Sequence, residues 1–519
     1  MRITGIGHAG ARIDTAAGSV LCDPWSSAAY FGSWFPFPDN AALDWDALGD
    51  VDYLYVSHLH RDHFDPALLR RAVRRNTTVL LPDYPTSELH DALRDLGFRR
   101  FVETVSGEPI DLDGLRVMIL ALTSPTDGPI GDSVLALDDG QHRLLNQNDA
   151  RPGNPDDLTA FGSYDMMMVQ FSGAIWYPMV YDLPDRAKQN LGIAKRERQF
   201  DRTMRYIESV NPRYVIPNAG PPCFLDEPLR RWNDTKADPG NIFPDQTVFL
   251  AHMRSVGHDE GRLLLPGTRI DLAEPGAPEH HSLSDKDIAH IFGDKETYLD
   301  EYAARRADEL AAEHASWAEG EIDLLAALKG ELEPLMEEST SIVKGVGGPV
   351  RLELGEVELV IDFPNCQVRE YAGEKCRYAF VIAPELVKRV LLDGDIDWVN
   401  RLFLSLRFQA KRIGPYNEYI YTFFKCLNSE RMQYAEGWYA EMGDGGKDIA
   451  LEGWKVQERC PHLKADLSRF GKVSDDGVLT CQMHGWRWRL SDGKCLTADG
   501  HPLRSAKITD AEVAPSGGE

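Results

Sequence analysis

Short hydrophobic stretches separated by polar turns fill the first half of the chain and predict buried strands. Residues 51–56 (Val-Asp-Tyr-Leu-Tyr-Val) form one such stretch, and others lie at 115–122, 165–171 and 214–217. Stretches of this length, bounded by turn signals, are typical of strands inside a sheet. We therefore predict a sheet-rich α/β domain over residues 1–270.

The hydrophobic pattern changes twice beyond this region. Residues 270–284 are rich in proline and glycine and predict a linker. From 285 to 340, leucine and aromatic side chains recur every three or four residues among many charges, which predicts a helical connector. Alternation at 350–354 and again at 357–363 predicts a hairpin within a small α+β domain over 341–435.

Composition narrows the functional classes. A chain of 519 residues is too long for one core, so we expect two to four domains. A net charge of −26 argues against nucleic-acid binding and against an anionic membrane surface. The chain runs directly into a strand without a signal peptide, no apolar stretch reaches the ~18 residues of a membrane span, and eight cysteines do not form a disulfide framework. These features predict a soluble, cytoplasmic protein.

Near the C-terminus, two cysteines and two histidines have the spacing of a metal site. A C-x-H segment is followed, after eighteen residues, by C-x-x-H, and the four candidate ligands are Cys460, His462, Cys481 and His484. Two thiolates and two imidazoles are the ligands of a Rieske [2Fe–2S] cluster, although structural zinc also accepts Cys2His2. The C-x-H spacing, Pro461 and Gly485-Trp486 favour the cluster. Residues 450–510 resemble Rieske ferredoxins and oxygenases, which implies an all-β cluster domain.

A second group of metal-binding residues directly follows the strand predicted at 51–56. Four of the six residues from 58 to 63 are good ligands for first-row metals: His58, His60, Asp62 and His63. A strand that ends in a tight turn would direct His58 and His60 to one metal position, and Asp62 and His63 to an adjacent one. The segment therefore predicts a mononuclear or dinuclear metal site.

The H-x-H-x-D-H segment resembles the signature of the metallo-β-lactamase fold, which implies an αββα sandwich. The segments around His8 and around Asp23-Pro24 resemble the first hairpin of its lactonase-like and phosphodiesterase-like branches. The resemblance implies that Asp23 supports a ligating histidine and that His8 lies at the floor of the site, as a ligand, a substrate contact or a core histidine. It also implies that Asp149, after a strand, is a metal ligand.

Two histidines of the hydrolytic dizinc pattern are absent. Thr123-Ser124-Pro125 replaces the third motif, and Asn218 follows the strand where the fifth motif has its histidine. Three interpretations remain: an empty site, two metals with replacement ligands (Asp132, His252 or His258), or one non-haem iron, which needs only two histidines and a carboxylate. Loss of the zinc set beside a gained electron-transfer domain favours iron, with zinc as the alternative.

Two further segments have open interpretations. The aromatic segment 176–181 lies where a substrate-facing loop would follow a strand, but it would equally pack against a neighbouring domain. Lys195, Arg196 and Arg198 lie on a predicted helix, either as a solvated face or as an anion site. In the middle domain, residues 395–398 and 407–417 resemble sterol-carrier-like domains.

The two metal modules together resemble the CMP-N-acetylneuraminate hydroxylases, although the cluster domain is C-terminal here. The resemblance implies an O2-dependent monooxygenase of the Rieske type, a hydroxylase or N-oxygenase acting on a small polar molecule such as a nucleotide sugar. Electrons would come from NAD(P)H through a reductase and a ferredoxin, and Rieske oxygenases often form homo-oligomers. The main rival interpretation is a metal-dependent hydrolase in which the cluster senses redox state, and a second is a binding or assembly protein with an emptied metal site.

Overall fold

Two mixed β-sheets face each other in the N-terminal half of the computed structural model, which describes residues 1–124, 129–173, 175–234, 236, 238–441, 447–461, 465–483, 485–498 and 501–508. The eight-stranded sheet has the order β14-β13-β1-β2-β3-β4-β5-β6, and the six-stranded sheet has the order β12-β11-β10-β9-β8-β7. The strands are β1 (Arg2–Gly7), β2 (Gly10–Thr15), β3 (Gly18–Cys22), β4 (Tyr53–Tyr55), β5 (Thr78–Leu81), β6 (Arg100–Glu103), β7 (Ile110–Leu112), β8 (Leu115–Ala121), β9 (Ser133–Asp138), β10 (Arg143–Asn148), β11 (Met166–Gln170), β12 (Tyr214–Asn218), β13 (Arg269–Asp271) and β14 (Glu279–His280).

Helices cover the outer face of each sheet. One buried core lies between the sheets and includes Ile13, Val20, Val117 and Leu135. Two further cores join each sheet to its own helices. This αββα sandwich is the metallo-β-lactamase-like architecture that the sequence predicts. The helices are α1 (Trp45–Leu48), α2 (Pro66–Ala72), α3 (Glu88–Asp95), α4 (Asp156–Thr159), α5 (Asp185–Val210) and α6 (Gln246–Ser255), with a 3-10 helix at Glu227–Asn233.

The predicted linker at 270–284 is wrong in part, because its residues complete the first sheet. Strand β13 pairs with β1, so that Ile270 lies opposite Ile3, and β14 pairs with β13. Ile270 and Ala277 are fully buried. The proline- and glycine-rich stretch is the turn of an edge hairpin, whose strands are too short to show a hydrophobic pattern.

Five helices lead into the middle domain: α7 (Asp285–Gly293), α8 (Lys295–Arg305), α9 (Ala307–Trp317), α10 (Leu324–Glu338) and α11 (Thr340–Val346). The predicted hairpin is confirmed, since Leu354 pairs with Val357 across a turn in which Gly355 has a φ of +66°. The sheet has the order β17-β16-β15-β18-β19. Its elements are β15 (Pro349–Leu354), β16 (Val357–Asp362), β17 (Gln367–Glu370), β18 (Tyr378–Ile382), α12 (Pro384–Leu392), β19 (Phe408–Arg412), α13 (Glu418–Lys425) and α14 (Ser429–Glu441), with a 3-10 turn at Phe363–Asn365 and a π-turn at Val399–Phe403.

The described residues of the C-terminal region form two small antiparallel sheets, β20-β21-β26 and β22-β23-β24-β25. Cys460 and Cys481 are both fully buried. His462 and His484 lie outside the described residues. The elements are β20 (Asp448–Leu451), β21 (Trp454–Gln457), α15 (Leu467–Phe470), β22 (Gly471–Val473), β23 (Val478–Cys481), β24 (Trp486–Arg489), β25 (Lys494–Cys495) and β26 (Ser505–Lys507).

The aromatic segment 176–181 joins the sandwich to the middle domain. The Trp176 ring lies 5.7 Å from Phe403 and 5.5 Å from Tyr421 between ring centroids. The backbone amide of Ala410 donates to the Val180 carbonyl at 3.0 Å. Of the two interpretations of this segment, packing against a neighbouring domain is therefore the one observed. Within the described part of the chain, we find no helix of the length and apolar character that a membrane span requires.

Candidate metal centre

The turn after β4 is held in place by one buried carboxylate. Asp23 accepts hydrogen bonds from the backbone amide of Ser57 at 2.7 Å and from its hydroxyl at 2.8 Å. The Asp23 carboxylate also contacts Nδ1 of His63, at 3.0 Å. Because Nδ1 is engaged, the Nε2 atom of His63 faces the site. A supporting role of Asp23 beside a histidine of the site, which the family resemblance implies, therefore matches this geometry.

Histidines and carboxylates converge from four segments of the sandwich. Their ligand atoms form three overlapping groups, in each of which the atoms lie within 4.8 Å of one another: His8, Asp62 and His63; His58, His60 and Asp132; and His58, His63 and Asp149. His8 Nε2 is 2.9 Å from Asp62 Oδ2, His58 Nε2 is 3.5 Å from Asp132 Oδ1, and His63 Nε2 is 3.6 Å from Asp149 Oδ1. The six residues of the predicted site, together with the replacement candidate Asp132, are thus brought together.

Several of these ligand atoms are buried without a hydrogen bond. Nε2 of His8, His58 and His63 and Oδ1 of Asp149 lie close to other groups of the site, but none of them makes a contact of hydrogen-bond geometry among the described residues. A buried polar atom without a partner is costly, and native proteins generally satisfy such atoms. Imidazole nitrogens and carboxylate oxygens aimed at one point suit a first-row transition metal. The residues therefore fit one metal ion or two.

The charges of the site also suit a cation. Burial lowers the pKa of His58 and of His60, so both imidazoles are neutral and available as ligands. Burial would also raise the pKa of Asp62, but His63 and His8 lower it well below its usual value. Burial would likewise raise the pKa of Asp149, which His63 lowers. Burial would lower the pKa of His63, but Asp149, Asp62 and Asp23 raise it well above its ordinary value. The carboxylates are therefore ionised beside two neutral imidazoles and the positively charged imidazole of His63.

Three residues of the site have a left-handed backbone conformation without being glycine. The φ angles are +52° for His8, +41° for Asp23 and +39° for Asn148, which precedes Asp149. Such conformations are uncommon for residues with a side chain, and they cluster at functional sites where the surroundings enforce them. Their occurrence on three separate loops indicates that the site is preorganised.

Of the three candidate replacement ligands, only Asp132 reaches the site. His252 packs against Phe200 with a centroid distance of 5.0 Å, and Nδ1 of His258 contacts Glu260 at 2.6 Å. Asp132 lies in the loop between β8 and β9. This is the loop in which the third motif usually has the histidine that the sequence lacks. At the place of the other absent histidine, Asn218 ends β12, and its side-chain amide makes no hydrogen bond among the described residues.

Sequence reasoning missed one residue that holds a predicted ligand. The hydroxyl of Tyr30 donates to Oδ1 of Asp62 at 2.6 Å and accepts from the amide of Arg61 at 3.1 Å. Tyr30 is buried and has a φ of +52°. Only its place in an aromatic stretch after the first hairpin could have drawn attention to it, and that pattern is also typical of a core.

The middle domain contributes charges next to the site. Arg431 donates from Nε to Glu88 of α3 at 2.8 Å and from Nη1 to Asp397 at 2.8 Å, which joins the two domains through a buried ion-pair network. Burial lowers the pKa of His60, Lys425 lowers it further, and Asp397 acts in the opposite direction. Charged residues of the middle domain therefore affect the pKa of a histidine of the site, as do residues of the sandwich domain.

The cluster domain packs against α5 and against the loop that follows Asp149. The amide of Asp466 donates to the Gly153 carbonyl at 2.8 Å. On the other side of the contact, Arg202 Nη1 donates to the Met483 carbonyl at 3.0 Å. The hydroxyl of Tyr206 lies 2.8 Å from the Pro152 carbonyl oxygen and 3.1 Å from Met483 Sδ. One tyrosine thus connects the second cysteine loop with the loop of a predicted metal ligand.

Comparison with known proteins now gives the family. A protein of Mycobacterium tuberculosis H37Rv, provisionally named Rieske 2Fe-2S iron-sulfur protein Rv3818, is 53% identical over 516 residues, covering 98% of this chain and 100% of that protein. This chain belongs to the same family. A Rieske protein of Mycolicibacterium smegmatis is also 53% identical, over 523 residues that cover 98% of this chain and all of that protein. In this Rieske family member, residues 452–506 match the Rieske [2Fe-2S] domain, and residues 324–441 match the Rv3818-like, SCP2-like domain.

More distant relatives share only part of this Rieske protein. The cytidine monophosphate-N-acetylneuraminic acid hydroxylase of Danio rerio is 25% identical over 230 residues, covering 42% of this chain and 38% of that enzyme. The crystal structure of CmlA, a diiron β-hydroxylase from Streptomyces venezuelae, has a TM-score of 0.35 at 20% identity, covering 52% of this chain and 53% of that one. A TM-score this low supports no functional argument.

Proposed function

We propose that this Rieske protein is an O2-dependent non-haem iron oxygenase, a hydroxylase or an N-oxygenase, in which electrons pass from the cluster to an iron site in the sandwich domain. The observation that carries the proposal is the contact between the two metal modules. Met483, in the second cysteine loop, meets Tyr206, and Tyr206 meets the loop that begins at Asp149. A hydrolase would not need the two modules to be joined at this point.

The residues of the two sites have distinct tasks in the proposed reaction. Cys460, His462, Cys481 and His484 would hold the cluster; His8, His58, His60, Asp62, His63, Asp132 and Asp149 are the ligands from which the iron site would draw. A Rieske cluster supplies single electrons, and a non-haem iron site with open positions supplies O2 activation. Asp23 would orient His63, and Tyr30 would orient Asp62, through their hydrogen-bond contacts with these two ligands.

The proposal extends to a substrate class and an electron donor. We propose a small polar substrate, with a nucleotide sugar as the example that the name of the distant hydroxylase relatives suggests. We also propose a ferredoxin and a reductase as the route from NAD(P)H. Lys472, Arg487 and Lys494 are exposed on the cluster domain, although the whole chain is acidic. Local positive charge steers the docking of an acidic carrier.

Metal analysis combined with electron paramagnetic resonance tests the proposal. The protein would be purified without oxygen and measured before and after dithionite. Two irons belong to the cluster, so about three irons per chain, with a Rieske signal after reduction and a separate iron signal, would support a mononuclear oxygenase. About four irons would move the proposal to a diiron site. Two irons with zinc would contradict it and favour a hydrolase with a redox-sensing cluster.

A further inference from the structure

Four cationic side chains gather where the second sheet, helix α5 and the cluster domain meet. Lys195, Arg198 and Arg202 are spaced by three and four residues, which places them on one face of α5. Arg151 approaches the same place from the loop after Asp149. The charges that act on Lys195 are those of the three arginines. The carboxylate that acts on Arg198 is that of its exposed neighbour Glu197.

The hydrogen bonds of these cations are made to neutral oxygens. Lys195 Nζ donates to the Tyr177 carbonyl at 2.7 Å, and Arg151 donates to Gln170 Oε1 at 2.6 Å. Arg202 donates from Nη1 to a carbonyl, while its Nη2 is buried and has no hydrogen-bond partner among the described residues. The Arg202 side chain is buried, with only 7% of the residue exposed. Burial lowers the pKa of Arg202, and the acidic groups that act against this are Tyr206 and the Cys481 thiol rather than a carboxylate. An anion would therefore offset the cost of burying this guanidinium.

The turn after β11 holds two donor side chains close to its backbone. A Cβ atom on Gly173 would lie 2.8 Å from Arg151 Nη2 and 2.8 Å from Gln199 Nε2, so only glycine lets these side chains lie against the turn. The hydroxyl of Ser172, the preceding residue, is fully buried and has no partner among the described residues. Guanidinium, amide and hydroxyl donors therefore lie at one turn.

We propose that Arg151, Lys195, Arg198 and Arg202, with the Ser172–Gly173 turn, form a binding site for an oxyanion, a phosphate or carboxylate group of the substrate. Planar guanidinium groups bind both kinds of oxyanion through paired hydrogen bonds. Arg151, Lys195 and Arg198 are partly exposed, so a small molecule can reach the site. Burial, together with the three arginines, lowers the pKa of Lys195 well below its ordinary value, and a bound anion would relieve this repulsion.

The location of the oxyanion site relates it to the metal centre. Strands β10 and β11 are parallel, so their carboxyl ends lie at the same edge of the second sheet. Asp149 follows β10, and Ser172 follows β11. A molecule held by its anionic group at the turn after β11 would therefore extend toward the metal ligands. The assignment to a substrate rests on the proposed oxygenase function, whereas oxyanion binding itself does not.

Calorimetric titration of the full-length, cluster-loaded protein with inorganic phosphate tests the site, at constant ionic strength. We expect saturable binding that Lys195→Gln and Arg202→Gln each weaken by about tenfold to hundredfold, the usual value of a hydrogen bond to a charged group. Arg186→Gln, on the exposed first turn of α5, is the matched control and should bind phosphate as the unaltered protein does. If Arg202→Gln fails to fold, Arg198→Gln takes its place beside Lys195→Gln.

Three results would overturn the oxyanion site. One is that neither phosphate nor a dicarboxylate such as malonate binds to the unaltered protein. Another is equal phosphate affinity in the variants and the control, which would place phosphate elsewhere, for instance on the metal. The third is a shift of the cluster reduction potential in the variants without a change in affinity, which would mean that the cations serve the cluster. Malonate binding that the variants weaken would support a carboxylate group. The metal content and spin signals test the oxygenase separately.

Discussion

The two metal centres differ in how the chain builds them. The cysteine loops of the cluster domain lie within one short segment, and the spacing and flanking residues of their ligands indicate a Rieske cluster. The site in the sandwich domain is assembled from four segments, around His8, the 58–63 turn, Asp132 and Asp149. A metal centre whose ligands lie close together in the sequence can therefore be predicted from their spacing. For a centre assembled from distant segments, spacing predicts only those ligands that lie on the same turn.

The largest expected effect comes from removing the cluster while leaving the metal site of the sandwich domain intact. Cys481→Ser should abolish the Rieske signal and remove about two irons per chain, because a cluster needs all four ligands. The metal of the sandwich domain should remain bound, since its ligands lie in other segments. Metal analysis and electron paramagnetic resonance measure both. Cys426→Ser, at a buried thiol of the middle domain, should keep both centres; joint loss of both centres in Cys481→Ser would mean that they are not independent.

The opposite experiment removes the metal of the sandwich domain and leaves the cluster intact. His63→Ala should strip the sandwich-domain metal and leave the Rieske signal intact, because Nε2 of His63 faces both Asp62 and Asp149. His258→Ala is the matched control, as that imidazole is paired with Glu260 outside the site. Unchanged metal content in His63→Ala would contradict the assigned ligand set.

Sequence reasoning succeeded where a pattern is local. The strands around 51–56, 115–122 and 214–217, and the hairpin at 350–363, appear close to where the hydrophobic pattern predicts them. Sequence reasoning failed at β13 and β14. These strands are too short to show a periodic hydrophobic pattern, and the proline- and glycine-rich turn between them has the composition of a linker.

The same limit applies to the site. The sequence could offer Asp132, His252 and His258 as replacement ligands but could not rank them, because only the folded loops decide which side chain reaches His58. Tyr30 was missed for the same reason. A hydroxyl that holds a carboxylate has no sequence signature, whereas a ligand followed two residues later by another ligand does.

A smaller effect should come from the carboxylate beneath the assembled site. Asp23→Asn keeps the shape but weakens the bonds to Ser57 and His63, so we expect the metal affinity of the sandwich domain to fall by about tenfold to hundredfold. Competition with a chelator measures this affinity. Asp52→Asn is the control, because Asp52 accepts comparable bonds from the amide and hydroxyl of Ser19, at 2.9 Å each, on the exposed side of the sheet. Equal losses in both variants would indicate a general effect on folding.

The smallest structural change tests whether the two centres communicate. Tyr206→Phe removes one hydroxyl, which lies between the Pro152 carbonyl oxygen and Met483 Sδ, and should cost about 1 kcal/mol of stability. Both centres should keep their metals, and the cluster should keep its signal. Reoxidation of the reduced cluster by O2 should slow several-fold, because the hydroxyl contact that connects the two loops is lost. Tyr164→Phe, which removes a hydroxyl bonded to the Leu158 carbonyl in the same core, is the control and should leave the rate unchanged. An unchanged rate in Tyr206→Phe would mean that electrons leave the cluster by another route, and the within-chain contact would then be structural.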